Sequence, residues 1–121
     1  MLIVDDDEAY LRTLERAMEG QSIDLITCNN AVEALVKVGS FKPHLIVLDI
    51  LMPGMDGFQT AERLRESPET AEIKVVVVSG AMTDDMRARA KEAGIAAALA
   101  KPVNIEELIG LAGGLLAKAS A

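Results

Sequence analysis

Four short segments of this 121-residue chain carry side chains that could do chemistry together. They are Asp5-Asp6-Asp7, Asp49, Ser79-Gly80 and Lys101-Pro102, and each follows a short apolar run. Carboxylates within about 4 Å of each other repel by roughly 4 kcal/mol per pair at an effective dielectric near 20. A site that gathers Asp5, Asp6 and Asp49 therefore requires a compensating cation. All-oxygen ligands suit Mg²⁺, which keeps several waters and binds through one or two carboxylates plus phosphate oxygens. Lys101 adds a fixed positive charge, and Ser79 adds a short hydroxyl donor. An acid cluster with a lysine and a hydroxyl is a site for a phosphoryl group on a carboxylate, since carboxylates act as nucleophiles in aspartyl-phosphate chemistry. The metal and Lys101 would stabilise charge on the transferring oxygens.

These segments are far apart in sequence, so the fold must bring them to one rim. Apolar runs at 1–4, 23–27, 44–48, 73–78 and 95–100 read as strands. The runs Leu45-Ile46-Val47-Leu48 and Val75-Val76-Val77-Val78 show no polar alternation, the mark of strands buried on both faces of a parallel sheet. Helical patterns lie between the strands. Tyr10, Leu11, Leu14 and Met18 recur at helical spacing, with Gly20 as a stop. A second helix is expected over 31–38, capped by Asn30 and closed by Gly39; a third over 58–66, ended by Ser67-Pro68. A fourth is expected over 83–93, with Thr83 as cap and Gly94 after it. A fifth is expected over 104–118, capped by Asn104 and weakened near its end by Gly113-Gly114. Five strand–helix alternations predict an α/β fold, a parallel sheet with helices on both faces. Ligands bind such sheets at the carboxyl ends of the strands, where all four segments fall.

Composition narrows the function. The length suits a single domain, 1–121, and half of the residues are hydrophobic, enough for a full core. The few aromatics are Tyr10, Phe41 and Phe58, so the core must come from Val, Ile, Leu, Ala and Met. A net charge of −7 argues against direct nucleic-acid binding. The single cysteine, Cys28, excludes an intrachain disulfide and fits a reducing compartment. There is no secretory signal pattern, and no apolar run approaches the roughly 20 residues that span a bilayer. We expect a cytoplasmic protein without a membrane partner. The chain starts almost at its first strand, which suggests a domain excised from a longer protein.

The chain closely resembles the receiver domains of bacterial two-component response regulators, including the chemotaxis regulators. The motifs that carry the likeness are Leu2-Ile3-Val4-Asp5-Asp6-Asp7, Leu45-Ile46-Val47-Leu48-Asp49-Ile50-Leu51-Met52-Pro53-Gly54-Met55-Asp56-Gly57, Val78-Ser79-Gly80 and Ala100-Lys101-Pro102. Each alone is weak; four in order at four strand ends are very specific. The resemblance implies a three-layer, doubly wound, flavodoxin-like (βα)5 fold with strand order 2-1-3-4-5. It implies that Asp49 accepts the phosphoryl group, that Asp6 binds the metal directly and Asp5 through water, and that the backbone carbonyl of Leu51 completes the protein's ligands. Mg²⁺ is the expected ion, and Mn²⁺ can substitute. Ser79 matches the switch hydroxyl and Lys101 the phosphate-binding lysine, with a cis bond between Lys101 and Pro102. The implied partners are a sensor histidine kinase or phosphotransfer protein and a downstream output domain or target. Such a module is not an enzyme beyond assisting its own phosphorylation and dephosphorylation.

Two departures from the family pattern stand out. Leu51 and Ala81 occupy the positions flanking the path of an attacking water, and both are apolar. We expect slow self-dephosphorylation. Ala98 stands three residues before Lys101, where relatives usually carry Tyr, Phe or His. Without a ring to turn, the response should concentrate in the loop after the fourth strand and the start of the fourth helix.

Other residues invite simpler readings. Asp7 reads as a helix cap, Asp56-Gly57 as a turn and helix start, Met52-Pro53-Gly54 as turn chemistry, His44 as a strand-start residue, and Cys28 as a small apolar filler. Three rival functions are weaker. A haloacid dehalogenase-type phosphatase needs an acid two residues after the nucleophile, where this chain has Leu51. A flavodoxin-like electron carrier needs a hydroxyl- and glycine-rich phosphate loop after the first strand, where this chain has three acids. A degenerate receiver, acting only as a phosphorylation-independent interaction module, would not need the complete set of acids, Ser79 and Lys101.

Overall fold

The computed structural model describes residues 1–21 and 23–120, with the backbone alone for 116–120. Five strands and five helices alternate along the chain. They are β1 (Leu2–Val4), α1 (Glu8–Ala17), β2 (Ile26–Cys28), α2 (Ala31–Phe41), β3 (Leu45–Asp49), α3 (Gly57–Glu66), β4 (Lys74–Ser79), α4 (Asp84–Glu92), β5 (Ala97–Ala100) and α5 (Ile105–Ser120). The strands form one parallel sheet in the order β2-β1-β3-β4-β5.

The period-two alternation of side chains divides the core into two layers. Leu2, Val4, Ile46, Leu48, Val75 and Val77 point to one face, where Ala34 of α2, Leu64 of α3 and Ala90 of α4 cover them. Ile3, Leu45, Val47, Val76 and Val78 point to the other, against Leu11 and Leu14 of α1 and Leu108 and Ala112 of α5. Both faces of β3 and β4 are therefore apolar, which explains their unbroken hydrophobic runs. Among the described residues, no helix is long and apolar enough to cross a membrane.

Several element ends differ from expectation. β2 begins at Ile26, because its only partner, β1, is short and registers Leu2 against Ile26. β5 begins at Ala97 because the amide of Ile95 donates to the carbonyl of Ala90 and helps close α4. The second helix does not stop at Gly39. It runs on to Phe41 and ends at Lys42, whose φ of 51° is left-handed and whose amide donates to Val38 at 3.0 Å. Pro43 follows, and a proline cannot donate to the helix ladder. α5 continues through Gly113-Gly114 to Ser120. Asp49 and Ser79 are themselves the last residues of β3 and β4, paired to Val78 and Ala100.

Candidate functional site

The carboxyl ends of β1, β3, β4 and β5 meet on one rim. Asp5 extends β1, and its amide donates to Cys28 at 3.1 Å. Asp49 closes β3, and Leu51 donates its amide to Asp49 Oδ1 at 3.1 Å. Both acids are buried, Asp5 at 1% and Asp49 at 4% exposure, whereas Asp6 faces solvent. One carboxylate oxygen from each of Asp5, Asp6 and Asp49 lies within 4.8 Å of the others.

Lys101 ties the two buried acids together. Its Nζ donates to Asp5 Oδ2 at 2.6 Å and to Asp49 Oδ2 at 3.0 Å. The peptide bond from Lys101 to Pro102 is cis, as the resemblance implies. The backbone amide of Lys101 donates to the carbonyl of Ser79 at 2.9 Å, fixing the lysine to the end of β4. Ser79 is fully buried, and its Oγ accepts from the amide of Ala81 at 3.1 Å.

Electrostatics follow from burial. Burial raises the Asp49 carboxyl above its ordinary value, and the nearby charge of Asp5 adds to this while the hydrogen bond from Lys101 opposes it. Burial alone would lower the Lys101 ammonium, but its bonds to Asp5 and Asp49 outweigh that and raise it. Three carboxylates face one ammonium, which leaves two negative charges unbalanced. The all-oxygen donor set and this surplus charge fit a hard divalent cation.

Asp7 caps α1 by accepting from the amide of Tyr10. Asp56 caps α3 in a reciprocal capping box with Gln59. His44 is exposed and lies just before β3. Burial pushes the Cys28 thiol up to about 11, which fits an inert filler.

Two residues that matter to the rim escape sequence reasoning. Gly57 starts α3 close beneath the end of β3, and a Cβ there would meet the Asp49 carbonyl oxygen at 2.7 Å. The sequence marks Asp56-Gly57 as a turn and helix start, as found, but gives no sign of this close approach to Asp49. Tyr10 places its ring face 5.0 Å from Lys101 Nζ. Its helical spacing shows a core-facing residue and gives no sign of a lysine contact.

Residues 1–112 match the family described as the response regulator receiver domain. Response regulator PleD of Caulobacter vibrioides is 34% identical over 104 residues, which cover 86% of this chain and 23% of PleD. The chain thus spans under a quarter of that relative's length. Protein PilG of Pseudomonas aeruginosa is 29% identical over 91% of this chain and 82% of its own. A crystal structure of a response regulator from Desulfuromonas acetoxidans superposes with a TM-score of 0.85 at 32% identity, covering 95% of this chain and 94% of that one. A receiver domain from Colwellia psychrerythraea 34H superposes with a TM-score of 0.86 at 31% identity, covering 95% of each chain. A match over nearly the whole sequence, on the same fold, makes this chain a member of the response regulator receiver domain family.

Proposed function

We propose that the chain is a phosphoacceptor switch, spanning 1–121, in which Asp49 takes a phosphoryl group from a histidine kinase or phosphotransfer protein. The observation that carries this reading is the bridge from Lys101 Nζ to Asp5 and Asp49, at 2.6 and 3.0 Å. It puts a cation beside the carboxylate that would become the acyl phosphate.

In the proposed reaction an Asp49 oxygen attacks phosphorus. The bond from phosphorus to the donor's imidazole nitrogen breaks, and the imidazole leaves with its electron pair. Lys101 stays within reach of the new phosphoryl oxygens, and Ser79 rotates away from the amide of Ala81 to donate its hydroxyl to one of them. Asp6 and Asp49, the Leu51 carbonyl and, through water, Asp5 would hold a divalent ion, Mg²⁺ or in its place Mn²⁺, which would supply neutralising charge on the transferring group. The loop from Ser79 to Thr83 then moves with the hydroxyl, shifting α4 and the partner surface it forms. The chain modifies only itself, in the cytoplasm, and its readout is a downstream domain or protein.

Acetyl phosphate with Mg²⁺ tests this. The wild-type chain is expected to gain one hydroxylamine-sensitive phosphoryl group by mass spectrometry, and Asp49→Asn none. The same labelling of Asp49→Asn would show that the acceptor lies elsewhere.

A further inference from the structure

The third acid of the Asp5-Asp6-Asp7 run takes no part in the chemistry above, yet it leads to a residue the mechanism has not used. Asp7 Oδ1 accepts from the backbone amide of Tyr10 at 3.1 Å. That bond fixes Tyr10 in the first turn of α1. The half-buried Tyr10 packs against the layer between the sheet and the α1–α5 pair, and its ring face covers Lys101 with Nζ 5.0 Å from the centroid.

We propose that Tyr10 is a positioning residue for Lys101, and through it for the reaction at Asp49; the inference rests on the phosphoacceptor reading. A lysine carries its charge on a flexible four-carbon stem, so its placement depends on what surrounds it. Here the ammonium has three attractive neighbours: Asp5, Asp49 and the ring of Tyr10. Both carboxylates belong to the candidate metal set, and Asp49 is the proposed nucleophile, so neither is free to hold the ammonium alone during the reaction. The ring face belongs to neither role, and the Tyr10 hydroxyl is held separately by the backbone of Val103. Its quadrupole attracts a cation lying over its face within about 6 Å. It also covers one side of the lysine, whose side chain is 22% exposed. Phenylalanine at this position would keep both effects, whereas leucine would keep only the apolar cover.

The test compares phosphorylation rates by acetyl phosphate, with Mg²⁺ present and donor concentration varied, for wild type, Tyr10→Phe and Tyr10→Leu. Each is made with Lys101 intact and with Lys101→Met. Tyr10→Phe is expected to match wild type to within about twofold, and Tyr10→Leu to be about fivefold slower, equivalent to about 1 kcal/mol. In the Lys101→Met background Tyr10→Leu should cost nothing further, the signature of one residue acting through another. Tyr10 is the chain's only tyrosine and there is no tryptophan, so its emission reports the same contact directly. Beryllofluoride with Mg²⁺ should change that emission in the wild type and leave it unchanged in Lys101→Met. Equal rates for Tyr10→Leu and wild type, or the same loss with and without Lys101, would overturn the proposal. A wild-type chain that takes no phosphoryl group at all would overturn the phosphoacceptor reading, and this inference with it.

Discussion

Arg87 on α4 donates a hydrogen bond from Nη1 to the backbone carbonyl of Ala98 on β5, at 2.7 Å. At the position where relatives usually carry a ring, this chain has a methyl group, and the contact between helix and strand is made from the helix side. Ala90 is the one buried residue of α4, with Met86 packed at the edge of the core and Arg89 over the Phe58 ring at 4.2 Å. Alanine has no rotamer to change, so in the proposed switch a signal from Ser79 would travel through the following loop and the α4 backbone. We predict that beryllofluoride with Mg²⁺ shifts amide resonances most at residues 80–84 and in the first turn of α4, and little at Ala98. Arg87→Ala should loosen α4, seen as faster amide hydrogen exchange there without a change in β4. Strong shifts across β5 and α5, with quiet residues 80–84, would contradict this route.

The surplus negative charge at the rim predicts a metal-dependent stability. A ligand that binds only the folded state stabilises it by RT ln(1 + [L]/Kd), about 1.4 kcal/mol at ten times Kd. Millimolar Mg²⁺ is expected to raise the melting temperature, and Asp6→Ala to remove most of that rise. Asp6→Ala should also be the more stable of the two in EDTA, because it relieves repulsion among Asp5, Asp6 and Asp49. An undiminished Mg²⁺ response in Asp6→Ala would rule out Asp6 as a ligand.

Leu51 is 56% exposed beside Asp49, one of the few large apolar side chains left in solvent. It cannot orient a water, and on the phosphoacceptor reading it would shield Asp49 from one side. Leu51→Asn should shorten the phosphoryl half-life several-fold, measured by loss of the labelled form after the donor is removed. An unchanged or longer half-life would mean that shielding by Leu51 does not set the lifetime.

Cys28 gives a pH prediction whose sign is fixed by its burial. Its thiol lies at about 11 in the folded chain against an ordinary value of 9.0, so the folded state holds that proton more tightly. The associated stability is complete below pH 9 and is lost as pH rises through about 11. Cys28→Ala should flatten this part of the alkaline stability profile measured by urea denaturation. At neutral pH the native thiol should react with iodoacetamide far more slowly than the unfolded chain; equal rates would show that burial does not protect it.

The rim was legible because each of its residues ends or follows an apolar strand, and parallel strands put all such positions on one edge. Asp5, Asp49, Ser79 and Lys101 converge for that reason, although 96 positions separate Asp5 from Lys101. The caps at Asp7, Asn30, Thr83 and Asn104 were equally legible, since capping is a local hydrogen bond. What escaped depends on how separate elements meet. Pro43 marks a helix end at Lys42, but glycine is the usual left-handed residue and Gly39 offered itself first. Tyr10 over Lys101 depends on where α1 lies against the end of β5, and Arg87 on Ala98 depends on the tilt of α4. Such contacts are products of packing, which periodicity does not encode.

Gly57 has a consequence for where the molecule can deform. The start of α3 lies so close beneath Asp49 that even a methyl group at Gly57 would collide with its carbonyl, and the Gly57 amide donates to the Ile50 carbonyl at 3.2 Å. Across the rim, Gly80 has no neighbouring atom within 4 Å of where its Cβ would stand. One side of Asp49 is therefore closely packed against α3, while the other has open space beside Gly80. If Asp49 is the phosphoacceptor we propose, phosphorylation would act less on β3 and α3 than on the chain leaving β4. A partner docked on α3 would find the same surface in both states, whereas one docked on α4 could tell them apart.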